Sequence, residues 1–451
     1  MKQEKRNMKN ELLRIGRRII PRPMFEFFRP AYHFLLAFAG ALVYRFPSRS
    51  MMVIGVTGTK GKTTACNMIA HVLQEAGHKT GMTTTVNFRI GEKVWRNEAK
   101  QTMLGRFQLQ KILRRMADAG CEYAVVETSS EGIMQFRHTF VDYDVAVFLN
   151  LSPEHLDRHK GFENYRAAKM KLFGKLARKK RSVGVYNFDD ENVAHFLGIP
   201  QEVQYGYTLA HDVTHAYERS RRMVELKNVH LHASGSEFDV KDTHFTLPLL
   251  GEFNVQNAGA AICVALSQNI SLEQVCKSLE NFTGVPGRME LVPNDKGFAV
   301  VVDYAHEPKS LEAVYEAAIE TGLKQAGGKL ICVFGATGGG RDTWKRPVMG
   351  QIAAQYCDEV ILTNDDPYDE DQKGIIADIR KGIDNAPFIK GNIHEIVDRR
   401  EAIRKAIALA QPGDAVVLTG KGGETVMVVE KEKRIPWDER KIVEEELGKI
   451  K

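Results

Sequence analysis

The chain of 451 residues holds only six cysteines, and no two of them form a C-x-x-C pair. Zinc ribbons and disulfide-stapled folds place cysteines at short, regular spacings. The six are instead scattered, mostly within apolar runs: Cys66, Cys121, Cys263, Cys276, Cys332 and Cys357. This pattern excludes a zinc ribbon and a disulfide framework, and it predicts reduced core thiols in a cytosolic protein.

The sequence also lacks an apolar run that is long enough to span a membrane. The uninterrupted apolar run Phe34–Tyr44 is about half as long as the ~20 residues that a spanning helix needs. A signal-peptide cleavage site is approximated only loosely, by Ala37-Phe38-Ala39. The sequence therefore predicts a cytoplasmic location.

A net positive charge is found only in the first residues. The net charge is +6, but residues 1–49 hold eleven Lys/Arg and three Glu, a balance of +8, so residues 50–451 sum to −2. A nearly neutral body excludes nucleic acid as a partner. Cations mixed with aromatic residues in 1–49 favour a helix on an anionic membrane surface, at the inner face of the membrane. A helical hairpin packed on the body is the open alternative.

A glycine-rich turn follows an apolar strand at Val53–Thr64, which reads VIGVTGTKGKTT. Glycines let backbone N–H groups approach a phosphate closely, Lys62 would reach the β- and γ-phosphates, and Thr63 would offer a hydroxyl to Mg²⁺. Apolar residues then recur at helical spacing, so the turn opens a helix whose dipole favours phosphate. The glycines at Gly55 and Gly58 depart from strict Walker spacing, but strand, turn and helix together predict an ATP site.

The length predicts two or three domains of α/β class. Residues 1–50 form the short, basic, aromatic helical segment. Residues 51–283 form a central ATP-binding domain with a P-loop ATPase-like parallel sheet, and residues 284–451 form a C-terminal Rossmann-like α/β domain. Ligands in such sheets bind at the carboxyl ends of the strands.

Three local patterns refine this division. Residues 205–250 alternate polar and apolar side chains, which predicts antiparallel strands. A helix is predicted at Val255–Ser267, entered after Asn254, and Gly284–Gly287 is predicted as a hinge. Buried strands are predicted at Tyr123–Glu127, Val145–Leu149, Phe298–Tyr304, Leu330–Phe334, Glu359–Thr363 and Ala415–Thr419.

Polar residues follow two of these strands at one sheet edge. Glu127 ends the first strand, and His155 follows the second within Asn150–Asp157. A carboxylate and an imidazole beside a bound triphosphate would suit Mg²⁺, although a lone histidine is more often a capping or buried structural residue.

The phosphate-binding turn and the polar residues after the strands, taken with further motifs along the chain, resemble the Mur ligases. The resemblance is greatest to the MurE branch, which adds the third peptide residue to UDP-N-acetylmuramoyl-dipeptide. The matches run in order from residue 53 to about 425. They are Gly58–Thr63, Glu127–Ile133, Asn150–Asp157, Ala167–Lys169, Phe253–Asn257, Gly287–Glu290, Asp303–Pro308, Arg341–Pro347 and Gly420–Glu424.

The resemblance implies ATP, two Mg²⁺ ions and a catalytic set. The implied ATP contacts are Gly58, Thr59, Lys60, Gly61, Lys62, Thr63, Thr64, Asn254, Asn257, Arg288, Asp303 and His306. The implied metal ligands are Thr63, Glu127, His155 and Lys169, the last carbamylated by CO₂. The implied catalytic residues are Lys62, Lys169, Glu127 and His155. A surface helix lysine is the ordinary alternative for Lys169.

The implied substrates are an acidic acceptor and an amino acid. Acceptor contacts would be Thr102, Ser129, Gln135 and Arg137. Amino-acid contacts in the C-terminal domain would be Arg341, Asp365, Asp366, Tyr368, Gly420 and Glu424.

Two departures from the family bear on those substrates. The family's UDP-binding domain is replaced by residues 1–50, so these residues could instead bind a pyrophosphate or a membrane lipid. Diaminopimelate-adding members carry Asp-Asn-Pro-Arg where this chain has Asp365-Asp366-Pro367-Tyr368. Tyr368 cannot form a bidentate charged clamp. The acidic loop would suit lysine, and a solvated loop is the open alternative.

The resulting prediction is an ATP-dependent amide-forming ligase. It would add an amino acid, a diamino acid by preference, to UDP-N-acetylmuramoyl-L-Ala-D-Glu through an acyl phosphate. The alternatives are a relative acting on another acid, of polyglutamyl or cyanophycin type, and an ATP-binding scaffold recruited to the membrane.

Overall fold

The computed structural model describes residues 22–99, 101–154, 156–177, 179–209, 222–340, 342–387 and 391–450. Its first unit is a nine-stranded sheet in the order β4-β3-β2-β5-β1-β6-β7-β8-β9. Seven of these strands are parallel, and β3 and β4 form an antiparallel edge hairpin. The strands are β1 Met52–Thr57, β2 Thr80–Thr83, β3 Asn87–Ile90, β4 Lys93–Arg96, β5 Tyr123–Glu127, β6 Val145–Phe148, β7 Val183–Asn187, β8 Val203–Thr208 and β9 Arg222–Glu225.

Helices cover both faces of this sheet, because strand residues alternate between two separate cores. Ile54 and Val56 of β1 join one core, and Val53 joins the other. Such strands read as continuous apolar runs. The helices are α1 Arg22–Val43, α2 Lys62–Glu75, α3 Arg106–Asp118, α4 Ser130–Met134, α5 Leu156–His159, α6 Phe162–Leu176 and α7 Val193–Leu197.

A small antiparallel sheet and two helices complete this part of the chain: β10 Lys227–His232, β11 Gly235–Val240, β12 Thr243–Leu247, α8 Glu252–Ser267 and α9 Leu272–Glu280. The prediction of antiparallel strands throughout 205–250 was wrong at its start, because β8 and β9 pair in parallel. β9 is an edge strand, and edge strands alternate in burial whatever their direction. Helix α8 begins at Glu252, so Asn254 lies inside its first turn.

The C-terminal unit is a six-stranded sheet in the order β13-β14-β18-β15-β16-β17, in which only β13 is antiparallel. The strands are β13 Glu290–Leu291, β14 Ala299–Val302, β15 Leu330–Phe334, β16 Glu359–Leu362, β17 Asn392–Glu395 and β18 Ala415–Leu418, followed by the hairpin β19 Val426–Val429 and β20 Lys433–Pro436. The helices are α10 Pro308–Glu320, α11 Lys345–Tyr356, α12 Gln372–Asp384, α13 Arg399–Leu409 and α14 Glu439–Leu447. The predicted α/β class with parallel sheets is confirmed.

One pair of cysteines departs from the predicted reduced thiols. Cys332 on β15 and Cys357 after α11 form a disulfide, with Cα atoms 6.1 Å apart. Cys66, Cys121, Cys263 and Cys276 are free. The prediction failed because the C-terminal end of α11 lies next to β15 in the fold. The spacing of the two cysteines along the chain does not reveal this contact.

Helix α1 packs on the first unit through small residues. Ala37, Gly40 and Ala41 are buried, and Gly40 lies against the start of α3. Large apolar side chains on its other side are exposed, including Tyr32 and Leu35. Among the described residues, no helix combines the length and the hydrophobicity that a membrane crossing requires.

A buried ion pair holds α14 against α13. The guanidinium of Arg399 donates to Glu439 (3.0 Å) and to the carbonyl groups of Asn364 and Thr419, and the indole N–H of Trp437 donates to the same glutamate. Neither partner of the pair is exposed to solvent. The packing of α14 therefore depends on this ion pair. If Arg399 were removed, Glu439 would be a buried charge that water does not reach.

We predict that Arg399→Met destabilises the protein by about 3–5 kcal/mol, because it leaves Glu439 as an unpaired buried charge. Chemical denaturation followed by circular dichroism measures this loss. The double variant Arg399→Met/Glu439→Leu should recover most of it. An equally large loss in the double variant would contradict the assignment to unpaired charge.

Candidate active site

The phosphate-binding turn lies between β1 and α2. Gly61 is the N-cap of α2 and has a positive φ of 78°. A Cβ atom at Gly61 would lie 2.4 Å from the amide oxygen of Asn257. Glycine is therefore required at this position for two reasons, which are the positive φ and the close approach of α8.

The side chain of Lys62 folds back over this turn. Its ammonium donates to the carbonyl oxygens of Gly58 (3.1 Å) and Thr59 (2.8 Å). Burial lowers the pKa of Lys62, and the nearby carboxylates of Glu127 and Glu154 act against that effect. The amine is thus held at the rim of the turn, where a phosphate oxygen could replace the carbonyl groups as its acceptor.

Glu127 ends β5 directly beside the turn. Its carboxylate accepts hydrogen bonds from the Thr63 hydroxyl (3.0 Å) and from the backbone N–H of Thr85 (2.7 Å). A hydroxyl and a carboxylate are hard oxygen ligands of the kind that Mg²⁺ prefers. His155, the other predicted ligand, lies outside the described residues.

Lys169, on α6, reaches the same turn from the other side. Its ammonium donates to the Gly58 carbonyl (2.6 Å) and lies 4.6 Å from the centre of the Tyr165 ring. The side chain is buried, which excludes the surface lysine considered as the alternative. Burial, and then the neighbouring Lys62, hold the pKa of Lys169 well below its usual range.

Three residues that support the turn were given no role by the sequence. The side-chain oxygen of Asn150 accepts from the backbone N–H of Thr59 (3.1 Å) and of Lys60 (2.8 Å). The Tyr165 hydroxyl lies 3.1 Å from that of Thr59, and Thr85 binds Glu127. Of these three, only Asn150 could have been singled out from the sequence, because it directly follows a predicted buried strand.

The C-terminal unit contributes a second group that faces the turn. The Arg288 guanidinium stacks 4.2 Å over the Tyr304 ring, and the Nδ1–H of His306 donates to the Tyr304 carbonyl (2.8 Å). Asp303 accepts from the backbone N–H of Ala305 (2.6 Å) and of Met289. Burial raises the pKa of Asp303 and lowers that of His306 strongly.

The two asparagines predicted on the adenine side form one polar pair. The amide N–H of Asn257 donates to the side-chain oxygen of Asn254 (3.1 Å), and the amide N–H of Asn254 donates to the Leu250 carbonyl (2.8 Å). Both side chains are buried at the start of α8. The pair therefore stands next to Gly61, where α8 meets the phosphate turn.

One cleft of about 930 Å³ joins all these groups. Its lining comprises the phosphate turn from Thr59 to Thr64, the Asn254 pair, Arg288, Asp303 and His306. The four predicted acceptor residues Thr102, Ser129, Gln135 and Arg137 also line it. Gly58 contributes its carbonyl oxygen. The structure thus brings the predicted ATP and acceptor residues together in one space.

Ion pairs border the cleft where the two units meet. Lys60 binds Glu154 (3.0 Å), and Lys345 binds Glu307 (2.6 Å). One ligand atom each of Glu154, His306 and Glu307 lies within 4.8 Å of the others. Each of these carboxylates is paired with a lysine of its own unit, so neither of these two ion pairs crosses between the units.

Most of the predicted amino-acid residues gather elsewhere, around a buried lysine that the sequence analysis missed. The ammonium of Lys421 binds Asp366 (2.7 Å) and Glu424 (2.6 Å) and lies 3.6 Å from Asp365. Burial alone would lower the pKa of Lys421, but these carboxylates outweigh it and raise it.

This arrangement corrects the prediction for the acidic loop. Asp365 and Asp366 are buried beside Lys421, so their carboxylates do not lie free at the surface to receive a basic side chain, whereas Asp369 and Asp371 of the same loop are exposed. Tyr368 is half-buried with a φ of 53°, and Gly420 lies against Asp365. Arg341 lies outside the described residues, although its neighbours Gly340 and Asp342 line the cleft.

Comparison with known families identifies two segments. Residues 56–265 match the Mur ligase middle domain, and residues 287–422 match the Mur ligase glutamate ligase domain.

Individual relatives are similar over most of the chain. The UDP-N-acetylmuramoyl-L-alanyl-D-glutamate–2,6-diaminopimelate ligase of Syntrophomonas wolfei is 39% identical, covering 92% of this chain and 82% of that protein. The UDP-N-acetylmuramyl-tripeptide synthetase of Roseiflexus sp. is 38% identical, over 90% and 80%. A solved structure of a UDP-N-acetylmuramoyl-L-alanyl-D-glutamate–2,6-diaminopimelate ligase is 32% identical with a TM-score of 0.59, over 88% and 78%.

We predict that Gly61→Ala weakens ATP binding at least about 10-fold, because the new methyl group meets Asn257 in a backbone conformation that alanine rarely adopts. Equilibrium titration with a fluorescent ATP analogue measures the affinity. Gly174→Ala on α6 is the matched control, since no atom lies within 4 Å of its added Cβ. Unchanged affinity in Gly61→Ala would disprove the assignment of the turn.

Proposed function

The chain belongs to the Mur ligase family, whose members are ATP-dependent amide-bond-forming ligases, and we propose that it adds an amino acid to UDP-N-acetylmuramoyl-L-Ala-D-Glu. The observation that carries this proposal is one cleft that is lined by Lys62, Lys169 and Arg288 together with the predicted acceptor residues. Relatives with 34–39% identity bear the name of this activity with diaminopimelate.

The site suits phosphoryl transfer followed by acyl transfer. The acceptor carboxylate attacks the γ-phosphorus of ATP, which releases ADP and leaves an acyl phosphate. The amine of the incoming amino acid then attacks the acyl carbon and expels phosphate. Lys62 and Arg288 neutralise charge on the transferred group, and closure of the two units around it excludes water.

Thr63, Glu127 and His155 are the residues that would hold Mg²⁺. The first two present a hydroxyl and a carboxylate side by side at the phosphate turn, which fits this ion. Bound Mg²⁺ neutralises phosphate charge. Thr85 keeps the carboxylate of Glu127 oriented through two hydrogen bonds.

The proposal includes a carbamate on Lys169. Burial lowers the pKa of the Lys169 amine, and a lowered pKa favours the neutral form, which is the form that adds CO₂. Carbamylation would also replace a cation beside Lys62 with an anion, which removes a repulsion between the two lysines. The site therefore fits this modification better than it fits two ammonium groups.

We propose a diamino acid as the incoming residue, with meso-diaminopimelate as the first candidate because the relatives' names specify it. Tyr368 replaces the arginine that clamps the distal carboxylate in diaminopimelate-adding members. Lysine selection by Asp365 and Asp366 is disfavoured, because both are buried and the Lys421 ammonium already occupies the position beside them. A polyglutamyl- or cyanophycin-type acceptor is the alternative.

The decisive assay measures phosphate release from ATP and Mg²⁺ with UDP-N-acetylmuramoyl-L-Ala-D-Glu and each of meso-diaminopimelate, L-lysine and L-ornithine. We expect turnover that depends on the muramoyl acceptor and is fastest with meso-diaminopimelate. Turnover with a folyl or aspartyl acceptor instead would overturn the proposal.

We predict that Lys169→Ala lowers kcat by about 10²-fold or more while ATP still binds, because the variant loses the proposed anionic ligand in the cleft. Lys171→Ala, an exposed lysine two residues along the same helix, should retain full activity. Mass spectrometry of the wild type in ¹³C-bicarbonate detects the adduct directly. Wild-type turnover in Lys169→Ala would refute the carbamate.

A further inference from the structure

Helix α1 is apolar on two sides, and the described part of the protein covers one of them. Ala37, Gly40 and Ala41 are buried, and a Cβ atom added at Gly40 would lie 3.4 Å from the backbone of Phe107 at the start of α3. A helix that is apolar all round is normally buried all round, in a protein core or in lipid. The side of α1 that points away from α3 therefore has fewer contacts than its side chains indicate.

Large apolar side chains recur along this second side at helical spacing. Tyr32, Leu35, Leu42 and Val43 are each between 52% and 64% exposed. With 3.6 residues per turn, these four positions fall within an arc of about 100° on the helix surface. Half-buried Ala39 lies between them. Tyr32, Leu35, Leu42 and Val43 thus form one continuous surface, the apolar stripe of α1.

The charged residues at the two ends of the apolar stripe are all basic. Residues 27–51 contain Arg29, Arg45 and Arg49 and no Asp or Glu. All three arginines are exposed. An apolar surface bordered by cations is typical of helices that bind the surface of an anionic membrane.

A basic cavity of about 440 Å³ lies at the C-terminal end of the stripe. The Arg49 guanidinium lies 4.7 Å from the centre of the Phe46 ring, which holds it beside the cavity. The residues that line the cavity are Leu42, Arg45, Phe46, Pro47, Arg49, Ser50 and Arg114. Cations next to apolar side chains fit an anionic headgroup whose acyl chains continue onto the stripe.

We propose that the apolar stripe of α1 binds the surface of an anionic lipid bilayer. The stripe would enter the boundary between headgroups and acyl chains, and the three arginines would bind lipid phosphates. Because the opposite side of α1 is packed on α3, the helix would lie along the surface and not be surrounded by lipid. This inference goes beyond the proposed function and is independent of it, since lipid binding requires neither ATP nor an acceptor.

The charge favours a lipid surface over a second copy of the chain as the occupant. Two copies of the stripe in contact would bring the same arginines together, and like charges repel one another. An anionic bilayer offers a phosphate to each of them. Residues 1–21 add seven Lys/Arg and two Glu at the same end of the chain, which increases the attraction to an anionic surface.

The test is sedimentation of the full chain with vesicles of phosphatidylcholine, made with and without phosphatidylglycerol. We expect the anionic vesicles to bind at least about 10-fold more tightly than pure phosphatidylcholine, with an affinity that falls at high salt. Failure to bind the anionic vesicles, or equal binding to both kinds, overturns the proposal. Turnover of the muramoyl acceptor without vesicle binding would overturn this inference alone and leave the proposed function standing.

A variant of the stripe separates its contribution from that of basic residues elsewhere. Leu35→Gln/Leu42→Gln should weaken binding at least about 10-fold, because two apolar side chains leave the lipid boundary. Both residues are exposed, so the unfolding temperature should not change. Ile319→Gln, at an exposed apolar position on α10, is the matched control and should bind as the wild type does. Wild-type binding in the double variant would overturn the proposal.

A second pair of variants tests the arginines. Arg45→Gln/Arg49→Gln should weaken binding to anionic vesicles severalfold and reduce its dependence on salt. Lys277→Gln/Lys373→Gln removes the same charge from exposed positions on α9 and α12 and should retain wild-type binding. Equal losses in the two variants would show that net charge alone governs binding and would overturn the role of the arginines.

Insertion of the stripe can be measured directly with Leu35→Trp. Relative to the wild type, its added fluorescence should be quenched by lipids with brominated acyl chains, whereas that of Ile319→Trp should not. Absence of quenching in Leu35→Trp overturns the proposal. Sedimentation velocity without lipid tests the other occupant. A dimer that Leu35→Gln/Leu42→Gln abolishes, in a protein that binds no vesicles, would assign the stripe to a second copy and overturn the lipid surface.

Discussion

The half-buried Lys62 and the buried Lys169 share one carbonyl oxygen, and the rest of the cleft is arranged around that crowding. Lys62 and Lys169 both donate to Gly58, at 3.1 and 2.6 Å. The nearby carboxylates of Glu127 and Glu154 act on both amines and offset positive charge there, and a bound triphosphate would add further negative charge beside Lys62. The glycines of the turn then allow this ligand to reach the backbone N–H groups.

In the C-terminal unit, by contrast, the buried cations are already paired with carboxylates of the protein. There Lys421 is a buried cation already matched by three carboxylates, and Arg399 is matched by Glu439. These pairs leave little unsatisfied charge, and they shape the loop that carries Tyr368. The lysines of the cleft can therefore bind a ligand, whereas the charged groups of the C-terminal unit bind one another and hold a loop in place.

Helix α1 is held by packing and not by charge. Its small residues pack on α3, while large apolar side chains on its other side stay exposed. Its half-buried His33 lies close enough to Arg106 and Arg137 for both to lower its pKa. A segment that the sequence describes only as basic and aromatic is therefore packed on the first unit through its small residues.

The sequence by itself determined the parallel sheets, the phosphate turn at Gly61–Lys62 and the order of the motif residues, because periodicity and turn chemistry are properties of neighbours in the chain. Only the tertiary structure decided that Asn257 lies against Gly61, that Lys169 is buried and donates to Gly58, that Lys421 lies beside Asp365 and Asp366, and that Cys332 pairs with Cys357. Burial, ion pairing and pKa depend on groups within a few ångströms, and folding alone brings those groups together.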